Sequence, residues 1–303
     1  MRLGKAGEWH RGDRMQMTRL LDTQGLEIFH EGHRTRLKWH RLRKRLTDPL
    51  FSAEVMAEGF ATGASMELDL RVRADGGFVV LHDSELEGET TGHGPIAGTS
   101  LADLRKIRMK DGDRPLTLSE DLAAMIQSSH PTALLQFDIK DDYEAIGVGG
   151  IAHLAEHFRD VSASVIVSAG SLDLIIAVKE KLPHLLRGID PTDKLYDIRQ
   201  AGGWKAVETE LRAGLSGPSE PDTVYLHWRL ILAAAKDGLD MIGLCRDEGK
   251  RVDAWTFTLK DPEAGFSEDE WRSFSALMAL KPDQITTDEA PATERAWRRR
   301  VAG

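Results

Sequence analysis

The sequence predicts an α/β fold, a (β/α)8 TIM barrel with a small insertion after its second-strand hairpin. Three observations support this. Short apolar runs alternate with stretches of helical spacing, the pattern of a mostly parallel sheet with helices outside it. Eight such runs fall between residues 35 and 287, the strand count of such a barrel. A chain of 303 residues is long enough to build and bury one.

Residues 1–33 precede the first expected strand and read as an N-terminal extension; residues 34–303 read as the barrel. "TRLKW" (35–39) is the first strand. Asp48 is placed to cap the helix that follows, and Pro49 fits its first turn. Leu50, Val55, Met56 and Phe60 have helical spacing, and Gly63 can end it. "SMELDL" (65–70) is the second strand. Asp75-Gly76 is a hairpin signal, so "GGFVVLHD" (76–83) reads as a return strand outside the barrel count. The polar, turn-rich segment at about 84–115 reads as an excursion from the barrel. The remaining strands are "TALLQFDIK" (132–140), "SVIVSA" (164–169), "LLRGI" (185–189), "TVYLH" (223–227), "RVDAWTF" (251–257) and "DQITT" (283–287).

Charged residues make up 29% and hydrophobic residues 41%, the balance of a globular protein. No apolar run approaches the ~20 residues of a membrane helix. The first thirty residues lack a secretory apolar core, and Cys245 is the only cysteine, so an internal disulfide is excluded. These features predict a cytoplasmic protein with no membrane span. A net charge of −9 argues against a nucleic-acid binder. Basic charge is nevertheless concentrated at 34–45, where seven Lys or Arg stand with no acid. That run is either a solvated face or a rim that binds phosphate or another anion.

In "SMELDL", Glu67 and Asp69 share one strand face, about 7 Å apart. Two carboxylates so placed can converge on a hard cation or simply face water. In "LLQFDIK", Leu135, Phe137 and Ile139 face the helices, while Gln136, Asp138 and Lys140 face the axis or mouth. Asp138 and Lys140 could form a plain structural pair. Two inward acidic strands are nonetheless unusual, because buried charge is costly unless paired or metal-bound. His82 ends an apolar strand, where a mouth residue belongs.

The run "GASMELDLRVRADGGFVVLHDSELEGETTGHGPIAGTSLADLRKI" (63–107) closely resembles the glycerophosphodiester phosphodiesterase family, with its Glu-x-Asp strand, Asp-Gly hairpin and His-Asp pair in this order. The resemblance continues through "PLTLSEDL", "LLQFDIK", "DAWTF" and "ITTDEAP", from residue 35 to about 291. It implies a barrel hydrolase acting on a small-molecule phosphodiester with one divalent ion, Ca²⁺ or Mg²⁺. By the match, Glu67, Asp69 and Asp138 are metal ligands, Asp138 replacing the usual glutamate. Lys140 and Arg41 contact the phosphate, Trp255 forms a wall beside the alcohol, and His40 and His82 are the acid–base pair.

The first histidine is the difficult assignment. His10 lies in a literal His-Arg-Gly, the family's opening motif, whereas His40 is followed by Arg41 and Leu42. The family's spacing to Glu-x-Asp is about 27 residues, and His40 stands 27 positions before Glu67. Spacing therefore favours His40, with His30, His33 and His10 as alternatives. Leu42 in place of glycine and "DPLF" in place of Glu-Asn-Thr leave open the loop path and a carboxylate ligand usually supplied there. They also motivate a second reading, a hydrolase or transferase acting on a sugar phosphodiester. A third is a barrel that binds phosphorylated ligands without turnover.

Overall fold

The computed structural model describes residues 23–126 and 130–302. Among them ten strands follow in chain order: β1 (Glu27–His30), β2 (His33–Trp39), β3 (Ser65–Val72), β4 (Phe78–Val80), β5 (Leu134–Ile139), β6 (Val165–Ala169), β7 (Leu186–Ile189), β8 (Thr223–His227), β9 (Arg251–Trp255) and β10 (Gln284–Thr287). Strands β2, β3, β5, β6, β7, β8, β9 and β10 pair in parallel in that order, and β10 pairs back to β2, closing an eight-stranded barrel. These are the eight strands expected from the sequence. The seventh is shorter than expected, because the chain leaves the sheet after Trp255 and Phe257 N–H donates to Thr286 O at 2.9 Å.

Alternation dictates the two faces. Leu37, Trp39, Met66, Leu68, Leu70, Leu135 and Phe137 are buried as the outward side chains of their strands. Phe137 meets Phe158 of the helix Tyr143–Phe158 edge-on, with centroids 4.8 Å apart. Each such side chain contributes roughly 1.5–3 kcal/mol by leaving water.

β1 pairs antiparallel with β2 from Glu27↔Arg36 to His30↔His33, while β3 pairs with the last two residues of β2. Residues 1–22, and His10 with them, lie outside the described residues.

The first helix spans Ala53–Thr62 and is capped by Ser52, whose hydroxyl accepts Val55 N–H at 3.2 Å. The expectation that Asp48 caps it is corrected: Asp48 Oδ2 instead accepts the N–H groups of Lys44 and Arg45 at 3.0 and 2.9 Å. The loop between β2 and the helix turns through left-handed residues (Arg41 φ 52°, Leu42 φ 50°, Phe51 φ 52°), which delays the helix by one turn. Gly63 ends the helix at φ 79°, the left-handed conformation a glycine takes without cost. Gly76 turns the β3–β4 hairpin at φ 83°. The following excursion carries its own bridges, Glu85↔Pro95, Thr90↔Met109 and Arg108↔Pro115. Buried Leu86, Ile96, Leu104 and Met109 anchor it.

The barrel interior is polar. Lys38, 2% exposed, places Nζ 2.7 Å from Asp253 Oδ2, bonds Gln136 Oε1 and stands 4.5 Å from the Tyr225 ring centroid. Asp253 Oδ1 also accepts Thr286 Oγ1–H at 2.7 Å. Gln136 Nε2 donates to Ser168 Oγ at 2.8 Å, and Ser168 donates to Asp138 Oδ1 at 2.9 Å. A hydrogen-bonded chain thus crosses the floor from β9 to the mouth, which is how a buried lysine is accommodated.

Candidate active site

A cavity of about 220 Å³ opens at the C-terminal ends of the strands, the end where TIM barrels place their chemistry. His40, Arg41, Glu67, His82, Asp138, Lys140 and Trp255 line it, with Lys38, Gln136, Asp190 and Tyr225 among the remaining walls and floor. Asp69 lies just beneath, 1% exposed.

The β3–β5 register sets the acidic cluster. Glu67 faces Gln136 and Asp69 faces Asp138 across the parallel pair. One carboxylate oxygen from each of Glu67, Asp69 and Asp138 lies within 4.8 Å of the others. Lys140 bonds Asp138 Oδ2 and approaches Asp69 Oδ1 at 2.9 Å. Burial, with Asp69 and Asp138 beside it, pushes the Glu67 carboxyl well above the usual range. Burial also raises Asp69, but Lys140 and Arg41 outweigh it and hold that carboxyl low.

These residues fit a divalent cation. Three oxygens of hard character converge, as Ca²⁺ or Mg²⁺ sites require. Asp69 Oδ2 is buried without a hydrogen-bond partner, although Arg41 Nε stands 3.3 Å away. An orphaned buried carboxylate oxygen is costly, and a cation satisfies it. Neither Asp48 nor Glu54 replaces the carboxylate missing from "DPLF": Asp48 serves its own turn and Glu54 accepts the Ser52 hydroxyl at 2.9 Å.

His40 begins the turn after β2, and its Nδ1 lies 2.8 Å from Asp288 Oδ1, just past β10. Burial raises Asp288, but the His40 and Thr258 hydrogen bonds and Arg43 bring its carboxyl down to about 2. An ionised carboxylate only accepts, so Nδ1 carries the proton and Nε2 is left for the cavity, 4.0 Å from Glu67 Oε2. His82 repeats the arrangement: its Nδ1 is 2.9 Å from Asp83 Oδ1. Arg41 N–H donates to Glu67 Oε2 at 2.7 Å, so the left-handed turn that replaces the expected glycine also fixes a carboxylate. The alternatives His30 and His33 sit elsewhere. His30 packs edge-on against Trp297 with centroids 5.5 Å apart, and His33 Nε2 is 2.9 Å from Pro282 O at the other end of the barrel.

A family model described as "Glycerophosphoryl diester phosphodiesterase family" matches residues 52–290. The chain belongs to the glycerophosphoryl diester phosphodiesterase family. It is therefore a phosphoric diester hydrolase by family. No curated protein sequence matches it significantly. Solved structures show the fold. A glycerophosphodiester phosphodiesterase from Parabacteroides distasonis superposes with a TM-score of 0.65 at 16% identity, covering 88% of this chain and 98% of that one. The glycerophosphodiester phosphodiesterase of Thermotoga maritima gives 0.59 at 18% identity, covering 87% and 97%. A phosphodiesterase from Oleispira antarctica, in complex with the product sn-glycerol-3-phosphate, gives 0.60 at 16% identity, covering 86% and 96%.

Within this phosphodiesterase the basic run 34–45 divides between the cavity, which Lys38 and Arg41 line, and side chains tied down elsewhere. Arg43 Nη2 is held by Asp288 at 2.8 Å, and Lys44 is buried against Glu58 at 2.6 Å and over the Trp39 ring. Arg36 donates to Gly63 O at 2.7 Å. Arg45 is the exposed member of the 43–45 stretch. Sequence reasoning missed Asp288, Asp190 and the Lys38–Asp253 pair. Asp288 did leave a signal, since it continues the inward parity of Gln284 and Thr286 one step past β10. Lys38 likewise shares the parity of His40.

Proposed function

We propose that this chain hydrolyses a small glycerophosphodiester to an alcohol and glycerol phosphate, using one divalent metal ion and a pair of histidines. The observation that carries the reading is the convergence of Glu67, Asp69 and Asp138 beneath two histidines, each with a carboxylate on Nδ1 and Nε2 left free. Glu67, Asp69 and Asp138 would hold Ca²⁺ or Mg²⁺, which when bound supplies Lewis-acid stabilisation of the phosphoryl oxygens. Arg41 and Lys140 add fixed positive charge against the negative charge that grows on oxygen during displacement. One histidine takes, through Nε2, a proton from the attacking oxygen, which is either water or the substrate's own neighbouring hydroxyl (then giving a cyclic phosphate that water opens), and the other protonates the leaving alkoxide. Asp288 and Asp83 keep the two Nδ1 protons in place and stabilise the imidazolium form of each histidine. Trp255, whose buried indole N–H has no hydrogen-bond partner, forms the wall for the alcohol. A cavity of about 220 Å³ suits a deacylated diester rather than a lipid carrying two chains. The product seen in the Oleispira protein, sn-glycerol-3-phosphate, is the product we propose here.

The excursion at 84–115 belongs to the same reading as a subdomain at the rim, since it begins beside His82 and Glu89 Oε2 accepts His82 N–H at 2.8 Å. Among the described residues no helix is long and apolar enough to cross a membrane. A single, buried cysteine supports cytoplasmic residence as part of the proposal. The second reading, a sugar phosphodiester or transfer to another alcohol, rests on the rebuilt loop at residues 42–52. The deciding experiment is a turnover screen over a panel of phosphodiesters with and without Mg²⁺ or Ca²⁺, products being identified with and without an acceptor alcohol. Metal-dependent release of glycerol phosphate supports the first reading. Sugar phosphate or an exchanged diester supports the second, and no turnover on any diester would leave only ligand binding.

A further inference from the structure

On the outside of the barrel, away from the acidic cluster, lies a second group of metal-ligating side chains. His153 and His157 stand one turn apart on the helix Tyr143–Phe158, so both project from the same face. Glu120 comes from the neighbouring helix Ser119–Ile126. One ligand atom from each of the three lies within 4.8 Å of the others. The two imidazoles are 4.2 Å apart between centroids, and His153 Nε2 is 4.0 Å from Glu120 Oε1.

We propose that Glu120, His153 and His157 form a zinc site that ties these two helices together. Two imidazoles and a carboxylate are a borderline-soft donor set suited to Zn²⁺, with water in the fourth position, whereas the all-oxygen cluster in the barrel suits a hard cation. The groups around the site fix the ligands. Arg73 bonds both Glu120 oxygens, which orients the carboxylate while each oxygen keeps another lone pair. Arg73 is also paired with Asp75, so Arg73, Asp75 and Glu120 together carry one net negative charge and do not repel a dication. The Ser119 hydroxyl, 2.7 Å from His153 Nε2, has an alternative acceptor in Phe78 O at 3.2 Å and can give up that nitrogen. The half-burial of all three ligands leaves room for the water and a path for entry.

The test uses the full chain, stripped with chelator and then saturated with Mg²⁺ to occupy the barrel carboxylates. Zn²⁺ is titrated by calorimetry, and unfolding is followed by thermal melting with and without it. The expected result is one equivalent of Zn²⁺ bound with a Kd in the micromolar range and a Tm raised by roughly 5 °C at saturating metal. His157→Ala and His153→Ala should each weaken that binding roughly tenfold or more and remove the Tm shift, while Asp69→Asn should keep both. Circular dichroism checks that the histidine variants are folded; should one not be, the other decides. Wild-type protein that takes up no Zn²⁺, histidine variants that bind it as wild type does, or loss of the site in Asp69→Asn would each overturn the proposal.

Discussion

Asp288 Oδ1 sits 2.8 Å from both His40 Nδ1 and Arg43 Nη2, so one carboxylate joins the end of β10 to the turn after β2. It fixes the histidine's tautomer from behind the residues that line the cavity. Asp288→Asn would keep the shape but present an amide able to donate to Nδ1, leaving the wrong nitrogen protonated. We predict a fall in kcat of roughly 10²–10⁴ with KM little changed. Because the folded-state pKa of Asp288 is lowered to about 2, the stability it adds is present above its ordinary pKa and is lost as pH falls through about 2. Acid unfolding of the Asn variant should therefore have a shallower slope between about pH 4 and pH 2. An Asn variant with wild-type kcat would remove Asp288 from the mechanism.

Chelation should abolish turnover, and so should Glu67→Gln. The same variant should be more stable than wild type without metal, since a buried carboxylate beside two others is removed while an oxygen remains for Arg41 N–H. Melting curves in chelator check the sign. A lower Tm for Glu67→Gln would mean that its charge is compensated in the empty site.

How far the sequence disclosed all this follows from the range of each interaction. The eight strands were legible because burial on one face and chemistry on the other leave a period-two pattern within each segment, as in "SMELDL" and "LLQFDIK". His40, Glu67 and His82 were legible because strand ends at the C-terminal face must point into the mouth, and family resemblance set the spacing. Asp288 left only the parity of Gln284 and Thr286 as a local signal, and its partner His40 is 248 positions away, so its role could not be read there. Lys44 looked free for the same reason, since the Trp39 ring and Glu58 that hold it are arranged by the turn. Asp48 and Ser52 are equally good caps by type. The left-handed residues Arg41, Leu42 and Phe51 decide between them, and L-residues there carry no sequence signature.

The Lys38–Asp253 pair tests the polar floor. Lys38→Met alone leaves Asp253 buried with only neutral partners, Gln284 and Thr286, and should cost roughly 3–5 kcal/mol. Lys38→Met combined with Asp253→Leu should recover most of that loss, since an apolar pair of similar volume replaces the ions. Denaturant unfolding of the four proteins gives the coupling energy. Additive losses would show that the two residues do not act as a pair.

Asp190 stands at the cavity wall with its carboxyl raised to about 7, chiefly by burial, although Thr192 N–H donates to Oδ1 at 3.0 Å. A carboxyl with a raised folded-state pKa favours folding below its ordinary pKa, and that advantage is lost as pH rises toward 7. Asp190→Asn keeps the acceptor for Thr192 and removes the charge. Its Tm should exceed that of wild type at pH 8 by several degrees, with the gap closing as pH falls to about 4. A gap independent of pH would show that Asp190 does not titrate in this range.

The roles of the two histidines separate by leaving group. His40→Ala and His82→Ala should each lower kcat on a natural diester by roughly 10²–10⁴. A diester with a nitrophenolate leaving group needs no protonation of that group. Loss of the general acid should therefore cost little on it, while loss of the base should cost as much as before. Whichever alanine variant is rescued by the activated substrate carried the acid. His30→Ala is the control: its ring packs on Trp297 rather than lining the cavity, so kcat should stay within about twofold of wild type. Equal rescue of both variants would mean that neither histidine protonates the leaving group. An inactive His30→Ala beside an active His40→Ala would place the first catalytic histidine on β1 instead.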